Sequence, residues 1–509
     1  MDGLIMQKLF LRVPILLGFF LFFIKFYDNL KRIAAGEDLL SWSSSLLYSL
    51  YIILVLAMGI GLAKLYKLKK SYFYLALVIL AIVPRVIWVI AFPSHPTSDF
   101  YLYHLTASYR ADENSWAVLY DKDLLNYSPF FTHILSFSTV LSWVYQIFGK
   151  SVFSGQFFNI LATLIGSIYF FKANFILSNR YVASIATMFF LFSPAYFMYS
   201  TLIVTEPLFM CLIAIAIYFW VLLYKSPEPN WILSIGIGFS MIGANLIRPS
   251  GFLISLVFVV SMMICNKKIL LSLKKILPGM LVFLAFSIAT PVINKVVYPF
   301  PTAATSAGYG VYVGANEGSS GTWTEEDKDY FWELYNELPV NEVSSVMMKA
   351  GIDRWVNIYK EGHLISYLVT KFKIFSDDSY GYNWTIYNDP ENFPLNSRSQ
   401  FTGFSYFVDS FLLIMSFLAC ALALLLRKTK KIYLFIVLEF GYTLGSLLIE
   451  VQGRYHVPLL FVSTTLTGFG CYYLYKLITS KGSLLKQSNL KGKRKIVTKK
   501  TKRTHLFFF

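Results

Sequence analysis

The residues best able to do chemistry lie where apolar runs meet short polar turns. Asp99 stands in Pro93-Ser-His-Pro-Thr-Ser-Asp-Phe-Tyr-Leu-Tyr-His104, directly after an apolar run, Tyr72 to Phe92, long enough to cross a bilayer. Pro93 and Pro96 end that run, and Thr97 or Ser98 can cap a new helix with Asp99 in its first turn. On such a helix Asp99, Tyr103, Thr106 and Arg110 share one face, at spacings of four, three and four. A carboxylate is thereby held on a rigid element beside groups that bind a hydroxyl or a phosphate. Glu206 opens a helix in Thr205-Glu-Pro207, Arg248 sits in Asn245-Leu-Ile-Arg-Pro-Ser-Gly251, and Arg454 sits in Glu450-Val-Gln-Gly-Arg-Tyr-His456. Two arginines on one face can clamp one phosphate. The competing reading makes each a helix start, a structural ion pair or a snorkelling side chain, as it does for Arg85 and for Glu439, deeper in its run.

The elements that must position these groups are membrane helices. The chain has 509 residues, of which 56% are hydrophobic and 18% aromatic, with only 14% charged. That composition excludes a soluble enzyme with a single anchor. Hydropathy predicts an all-α polytopic protein with about twelve spans: Leu9–Phe26, Leu46–Ala63, Tyr72–Phe92, Val152–Phe171, Tyr181–Met198, Thr205–Tyr224, Ile232–Ile247, Gly251–Cys265, Ile276–Val297, Tyr406–Leu426, Ile432–Ile449 and Val457–Ile478. Tyr127 to Phe148 is apolar but carries nine polar side chains or prolines, among them Ser128, Thr132, His133 and Gln146. If it does not span, the basic clusters Lys64–Lys70, Lys172–Arg180, Lys267–Lys275 and Arg427–Lys431 all face the cytoplasm, as the positive-inside rule asks. It is therefore read as an interfacial or re-entrant helix at the outer surface.

This topology divides the chain into two N-terminal helices (1–71), a membrane core with the first outer loop at 93–150 (72–297), an extracytoplasmic lobe (298–404), C-terminal helices (405–478) and a basic cytoplasmic tail (479–509). The net charge of +17 splits unevenly: residues 298–404 hold 14 acidic and 7 basic residues. An acidic lobe outside a basic-inside body is self-consistent. The tail has ten Lys or Arg from Lys481 and no acid, which suits anionic lipid and not nucleic acid. The stretch Gly308-Tyr-Gly-Val-Tyr-Val-Gly-Ala-Asn-Glu-Gly-Ser-Ser-Gly-Thr-Trp323 reads as a Gly-rich loop flanked by aromatics, without the Lys-Ser/Thr of a nucleotide cradle. Thr324-Glu-Glu-Asp should cap a helix, and an amphipathic pattern runs on to about Lys373. The four cysteines lie in or beside apolar runs and suggest no disulfide framework, and no metal-ligand spacing occurs.

From Tyr72 to Ile478 the sequence resembles the lipid-phosphate-sugar-dependent glycosyltransferases with the membrane-embedded C-type fold (GT-C). The likeness is to their bacterial protein-mannosyltransferase-like and aminoarabinose-transferase-like branch. The pattern is sparse: Asp99 in the first large outer loop, Tyr127-Ser-Pro129 before an interfacial helix, Glu206-Pro207, and Arg454-Tyr-His-Val-Pro458. The chain departs from it with Asp99-Phe100 where many relatives have Asp-Glu, with no Lys before Pro129, and with two additional N-terminal spans.

The resemblance implies a polyprenyl-phosphate sugar as donor, an acceptor hydroxyl on a glycan, lipid or protein, and inverting transfer on the extracytoplasmic face of the cell membrane. Asp99 is then the catalytic base, with Arg454, Arg248 or Lys122 holding the phosphate. Tyr103 and His104 position sugar or acceptor, and Tyr127, Glu206, Glu450 and Tyr455 complete the substrate-binding set. No cofactor is marked, although a divalent cation is compatible with this chemistry. A polysaccharide polymerase and a lipid-linked-sugar flippase or transporter are the alternatives. The polymerase should have long paired outer loops, and the flippase should have charges along the midplane.

Overall fold

A computed structural model of the chain describes residues 13–35, 42–265, 269–388, 398–425 and 429–479. Among these residues there is no β-strand, and the elements are helices throughout. An apolar segment that satisfies its own backbone has this one local solution in lipid. The first eleven helices are α1 (Val13–Ala35), α2 (Trp42–Leu68), α3 (Lys70–Ala91), α4 (Ser98–Glu113), α5 (Trp116–Asp121), α6 (Thr132–Phe148), α7 (Val152–Leu177), α8 (Arg180–Leu191), α9 (Pro194–Tyr199), α10 (Glu206–Lys225) and α11 (Trp231–Ile247). They are followed by α12 (Gly251–Cys265), α13 (Ile269–Val297), α14 (Ala307–Gly314), α15 (Glu325–Glu337), α16 (Val340–Lys360), α17 (Leu364–Phe375), α18 (Tyr380–Asn388), α19 (Arg398–Leu425) and α20 (Tyr433–Ser446). The last, α21 (Gly453–Thr479), begins as a 3-10 turn over Gly453–Leu459.

Eight of these, α1, α2, α3, α7, α10, α13, α19 and α21, are long and apolar enough to cross a bilayer, and α8, α11, α12 and α20 are shorter apolar helices. Eleven of the twelve runs expected from hydropathy thus lie on single apolar helices, whereas Tyr181–Met198 breaks at Phe192–Ser193, before Pro194, into α8 and the short α9. The polar thirteenth, α6, falls in neither group. Three of its hydroxyls turn back on their own helix, with Ser136, Thr139 and Ser142 donating to the carbonyls of Thr132, Leu135 and Thr139, while Ser138 donates to the Tyr103 carbonyl of α4. The basic tail lies outside the described residues.

The centre of the body is α21, 83% buried over its apolar stretch, whereas α13 at the rim is 22% buried. Leu277, Leu281, Ile288 and Val292 of α13 and Leu46, Leu50 and Ile53 of α2 leave large apolar surfaces uncovered by protein. Lipid is the solvent that suits such faces. Arg85, fully buried on α3, has a structural role: it donates to the Leu191 carbonyl at 2.7 Å, to Ser200 at 2.9 Å and to Ala81, with Phe197 beneath it. The Leu191 carbonyl ends α8, so a buried cation supplies that helix terminus with its missing donor.

The lobe is helical as well. Thr324 caps α15 by accepting from the Asp327 amide, as its sequence indicates. The Gly-rich stretch corrects the expectation of a loop, because Ala307–Gly314 is the helix α14. Its glycines permit close packing: a Cβ on Gly308 would lie 1.8 Å from the Ser344 carbonyl of α16, and one on Gly314 2.3 Å from the backbone of Ile449. A helix can tolerate glycine's unfavourable propensity where backbone must approach backbone. The lobe joins the body through a second apolar cluster, in which Phe130 packs with Tyr312, Phe331 and Met347.

Candidate active site

Asp99 occupies the first turn of α4, as expected, but the cap differs from expectation. The Thr97 side chain makes no capping bond to its own helix. Thr97 turns instead to Asn388 at the end of α18, its amide donating to Oδ1 at 2.9 Å. Ser98 adopts a left-handed backbone, φ +52°. For a residue with a Cβ that conformation costs roughly 1–2 kcal/mol, and such strain tends to collect where a side chain must be aimed. The result is an Asp99 carboxylate 32% exposed, with its two oxygens differently engaged. The Tyr127 hydroxyl donates to Oδ1 at 2.7 Å, and Arg454 Nη2 approaches Oδ2 at 3.5 Å. Burial and the adjacent carboxylate push the Tyr127 hydroxyl well up, so it stays a donor.

Arg454 is 7% exposed at the start of α21. Its guanidinium lies over Trp384 at 4.5 Å, with Phe100 and Tyr455 each 5.7 Å away. Its Nε is buried without a hydrogen-bond partner among the described residues. An aromatic cage with one unused donor is a suitable seat for an anion's counter-charge. Arg248 lies 5.1 Å from the centre of the same Tyr455 ring, so one tyrosine contacts both arginines. Unlike Arg454, Arg248 is tightly matched by Glu206, which also accepts from Thr205 at 3.2 Å.

The Glu450 turn is placed by the Gly-rich stretch. The Glu450 amide donates to the Gly310 carbonyl at 2.7 Å and the Val451 amide to the Gly321 carbonyl at 2.9 Å. Gln452 donates to the Glu450 carboxylate at 2.7 Å, and burial raises that carboxyl. Behind the turn Lys371, fully buried, donates to the carbonyls of Gly314 and Ile449. Burial pushes its amine down to about 7, against the pull of Glu450.

The structure thus brings together Asp99, Tyr127, Arg454, Tyr455, Arg248 and Glu206, with Glu450 on the turn leading into Arg454. Tyr103 is buried one turn along α4, stacked on Phe100 and edge-on to Phe137. Two predicted residues point elsewhere. His104 shares a 2.6 Å hydrogen bond with Tyr145. Lys122, exposed, pairs with Glu113 at 2.6 Å. Sequence reasoning missed Trp384, which carries no charge to mark it. It also left His133 as a general interfacial residue. Burial, reinforced by Arg248 and Arg454, pushes that imidazole down to about 4, so it is neutral, and its Nδ1 is a buried atom without a partner among the described residues. Among the described residues one group could offer three ligands to a metal, Glu317, Glu361 and His363, and it is exposed on the lobe, with none of the residues above in it.

Residues 133–294 match the model of a family described as dolichyl-phosphate-mannose-protein mannosyltransferase. That segment includes His133, Glu206 and Arg248 and stops short of Asp99 and Arg454 on either side. A crystal structure of ArnT from Cupriavidus metallidurans bound to undecaprenyl phosphate aligns with 76% of this chain and 77% of its own, at 14% identity and a TM-score of 0.33. No curated protein sequence matches. The membrane core from 133 to 294 is therefore similar to the dolichyl-phosphate-mannose-protein mannosyltransferases, in line with the resemblance read from the sequence.

Proposed function

We propose that the protein is a glycosyltransferase that moves a sugar from a polyprenyl-phosphate donor to an acceptor hydroxyl, with inversion, on the extracytoplasmic face of the cell membrane. One observation carries the reading: Asp99 and Arg454, 355 residues apart in sequence, meet at 3.5 Å where loop, lobe and α21 join. A partly exposed carboxylate suits an incoming hydroxyl, and a caged guanidinium with an unused donor suits a departing phosphate. The family match over 133–294 supports a lipid-linked sugar as donor.

In this mechanism Asp99 Oδ2 takes the proton of the acceptor hydroxyl as its oxygen bonds to the anomeric carbon. The bond from that carbon to the phosphate oxygen breaks, and the lipid phosphate leaves with the electron pair. Arg454 stabilises the charge it carries away. Tyr127 keeps Asp99 aimed. Arg248, neutralised by Glu206, acts mainly by holding Tyr455 against Arg454 and not as a second free cation. The lobe selects the acceptor.

The test is consumption of polyprenyl-phosphate mannose and its hexose and pentose analogues by purified protein in detergent, read as release of polyprenyl phosphate. A lipid-linked-sugar transporter is the second reading, favoured by the cavity that Lys25, Asp409 and Glu439 line among membrane helices. It requires donor to cross proteoliposomes with its sugar intact. Transport without consumption would overturn the transferase reading.

A further inference from the structure

Below the candidate site lies a buried cluster of charge that the mechanism does not use. Lys25 of α1 places its ammonium 3.1 Å from Asp378 and 3.1 Å from Asp409. Asn29, one turn along α1, donates to the other oxygen of Asp409 at 2.7 Å. Asp378 in turn faces His456, whose Nε2 is 3.0 Å from Oδ1. His456 Nδ1 lies 2.7 Å from the Phe375 carbonyl, which can only accept. Burial works against the Asp378 carboxylate, but Lys25 and His456 hold it well below the usual range, so it accepts too. Both ring nitrogens of His456 thus face acceptors, which ties the imidazole from two sides to the segment holding Phe375 and Asp378. A buried lysine and a buried imidazole meet two buried carboxylates, each with a close partner away from water.

The position of this cluster gives it a consequence at the site. His456 is two residues beyond Arg454 in the same 3-10 turn, Gly453–Leu459. Gly453, at the start of that turn, presses on the Asp377 backbone, where a Cβ would come within 2.4 Å of the carbonyl. Asp377 is itself held from α1, by Arg32 at 2.7 Å, and Arg32 also donates to the Lys373 carbonyl at 3.1 Å. Two residues of α1, Lys25 and Arg32, therefore grip the segment 373–378 at Lys373, Asp377 and Asp378, and that segment meets the turn bearing Arg454 at Gly453 and His456.

We propose that Lys25 is a positioning residue for Arg454: through Asp378 and His456, α1 sets the 3-10 turn and with it the guanidinium that faces Asp99. The inference rests on the reading that Arg454 holds the donor phosphate. It gives a task to a helix from the N-terminal part of the chain that the sequence resemblance leaves unexplained. Anion clamps demand placement within about half an ångström, which a lone turn between two helices cannot ensure by itself.

The experiment titrates detergent-purified full-length variants with polyprenyl phosphate, with thermal stability measured in parallel. Lys25→Met alone strands two carboxylates, so Lys25→Met/Asp409→Asn, which removes one charge of each sign, is the informative variant. It should fold and bind polyprenyl phosphate about tenfold more weakly, while Lys25→Arg keeps the affinity within about threefold of the parent. Added to Arg454→Ala, the double substitution should cause no further loss, because it acts only through that side chain. Parent-like affinity in Lys25→Met/Asp409→Asn, or losses that add to those of Arg454→Ala, overturn the inference alone. Failure of the compensated variant to fold overturns it as well, since α1 would then serve folding and not geometry. Parent-like binding in Arg454→Ala instead removes the phosphate reading and this inference with it.

Discussion

Replacing Asp99 by Asn separates the two halves of the proposed reaction. The amide keeps the size of the carboxylate, and its oxygen still accepts from Tyr127, now 2.7 Å from Asp99 Oδ1. What it loses is the capacity to take a proton, which a general base turns into about 10²- to 10⁴-fold in rate, or roughly 3–5 kcal/mol of barrier. Donor binding should move the other way. The Asp99–Arg454 pair is long, at 3.5 Å, and the carboxylate is 32% exposed. Such a pair is worth roughly 0.2–1 kcal/mol. Its loss frees Arg454 for phosphate and removes a like charge, so donor affinity should hold or rise by up to about fivefold. Single-turnover release of polyprenyl phosphate reports the first quantity, and equilibrium donor titration the second. Asn variants of Asp112, which pairs with Lys150, and of Asp121 and Asp123 serve as controls and should remain active. Wild-type turnover in Asp99→Asn with one control dead would refute the choice of carboxylate. Collapse of donor affinity in Asp99→Asn would show that Asp99 orients Arg454 and not the acceptor.

Three further outcomes are expected. Arg454→Lys keeps the charge but loses the planar fork and its stacking on Trp384, so donor kcat/KM should fall by at least about tenfold, and Arg454→Ala should fall further; parent-like kinetics would move the phosphate contact to Arg248. Lys371 titrates at about 7 when folded and at its ordinary 10.5 when unfolded, so between those values the unfolded chain binds the extra proton and stability rises with pH. Lys371→Met should flatten the dependence of thermal stability on pH from about 7 to about 10, and an unchanged slope would show the amine to be charged in the fold. In a cysteine-free background, cysteines at the exposed residues Glu337, on the lobe, and Glu228, between α10 and α11, should label from opposite sides of intact cells, Glu337 from outside. Labelling of both from one side contradicts the proposed topology.

Much of the fold was legible because apolar length is a local property. Eleven of the twelve runs lie on single apolar helices, Tyr181–Met198 being the one that broke, before Pro194, and α6 was set apart by its own hydroxyls. The site was half legible: charged residues at the ends of such runs are few, so Asp99, Glu206, Arg248 and Arg454 stood out. Their partners did not. Trp384 serves Arg454 by its ring face, and nothing in a tryptophan's neighbours in sequence says which cation it will meet. Lys122 and Arg454 carry the same charge, and only the fold decides that one pairs with Glu113 in solvent and the other enters an aromatic cage. The Gly-rich stretch was misread because glycine's local preference is for turns, while its use in α14 is the absence of a side chain at contacts with α16 and the Glu450 turn. His133 looked ordinary because the burial that discharges it, and the arginines that reinforce it, arise only in the fold.

The Lys25 cluster also bears on how the protein is made. Lys25 enters the membrane with α1, when neither of its anions has yet been synthesised: Asp378 and Asp409 follow 353 and 384 residues later. A lysine costs roughly 3 kcal/mol at the centre of an inserting helix on biological insertion scales and less at its end, where Lys25 stands in the run Leu9–Phe26. At elongation rates of about 5–20 residues per second, the nascent chain must bear that cost for about 20 seconds or more. Until α19 arrives, the end of α1 that carries Lys25 is therefore free to slip toward water. Chains truncated before Asp409 should leave α1 open to protease where the complete chain protects it. Maturation of the candidate site is thus tied to the end of translation, because the residues that neutralise the first helix and the arginine that faces Asp99 all come late.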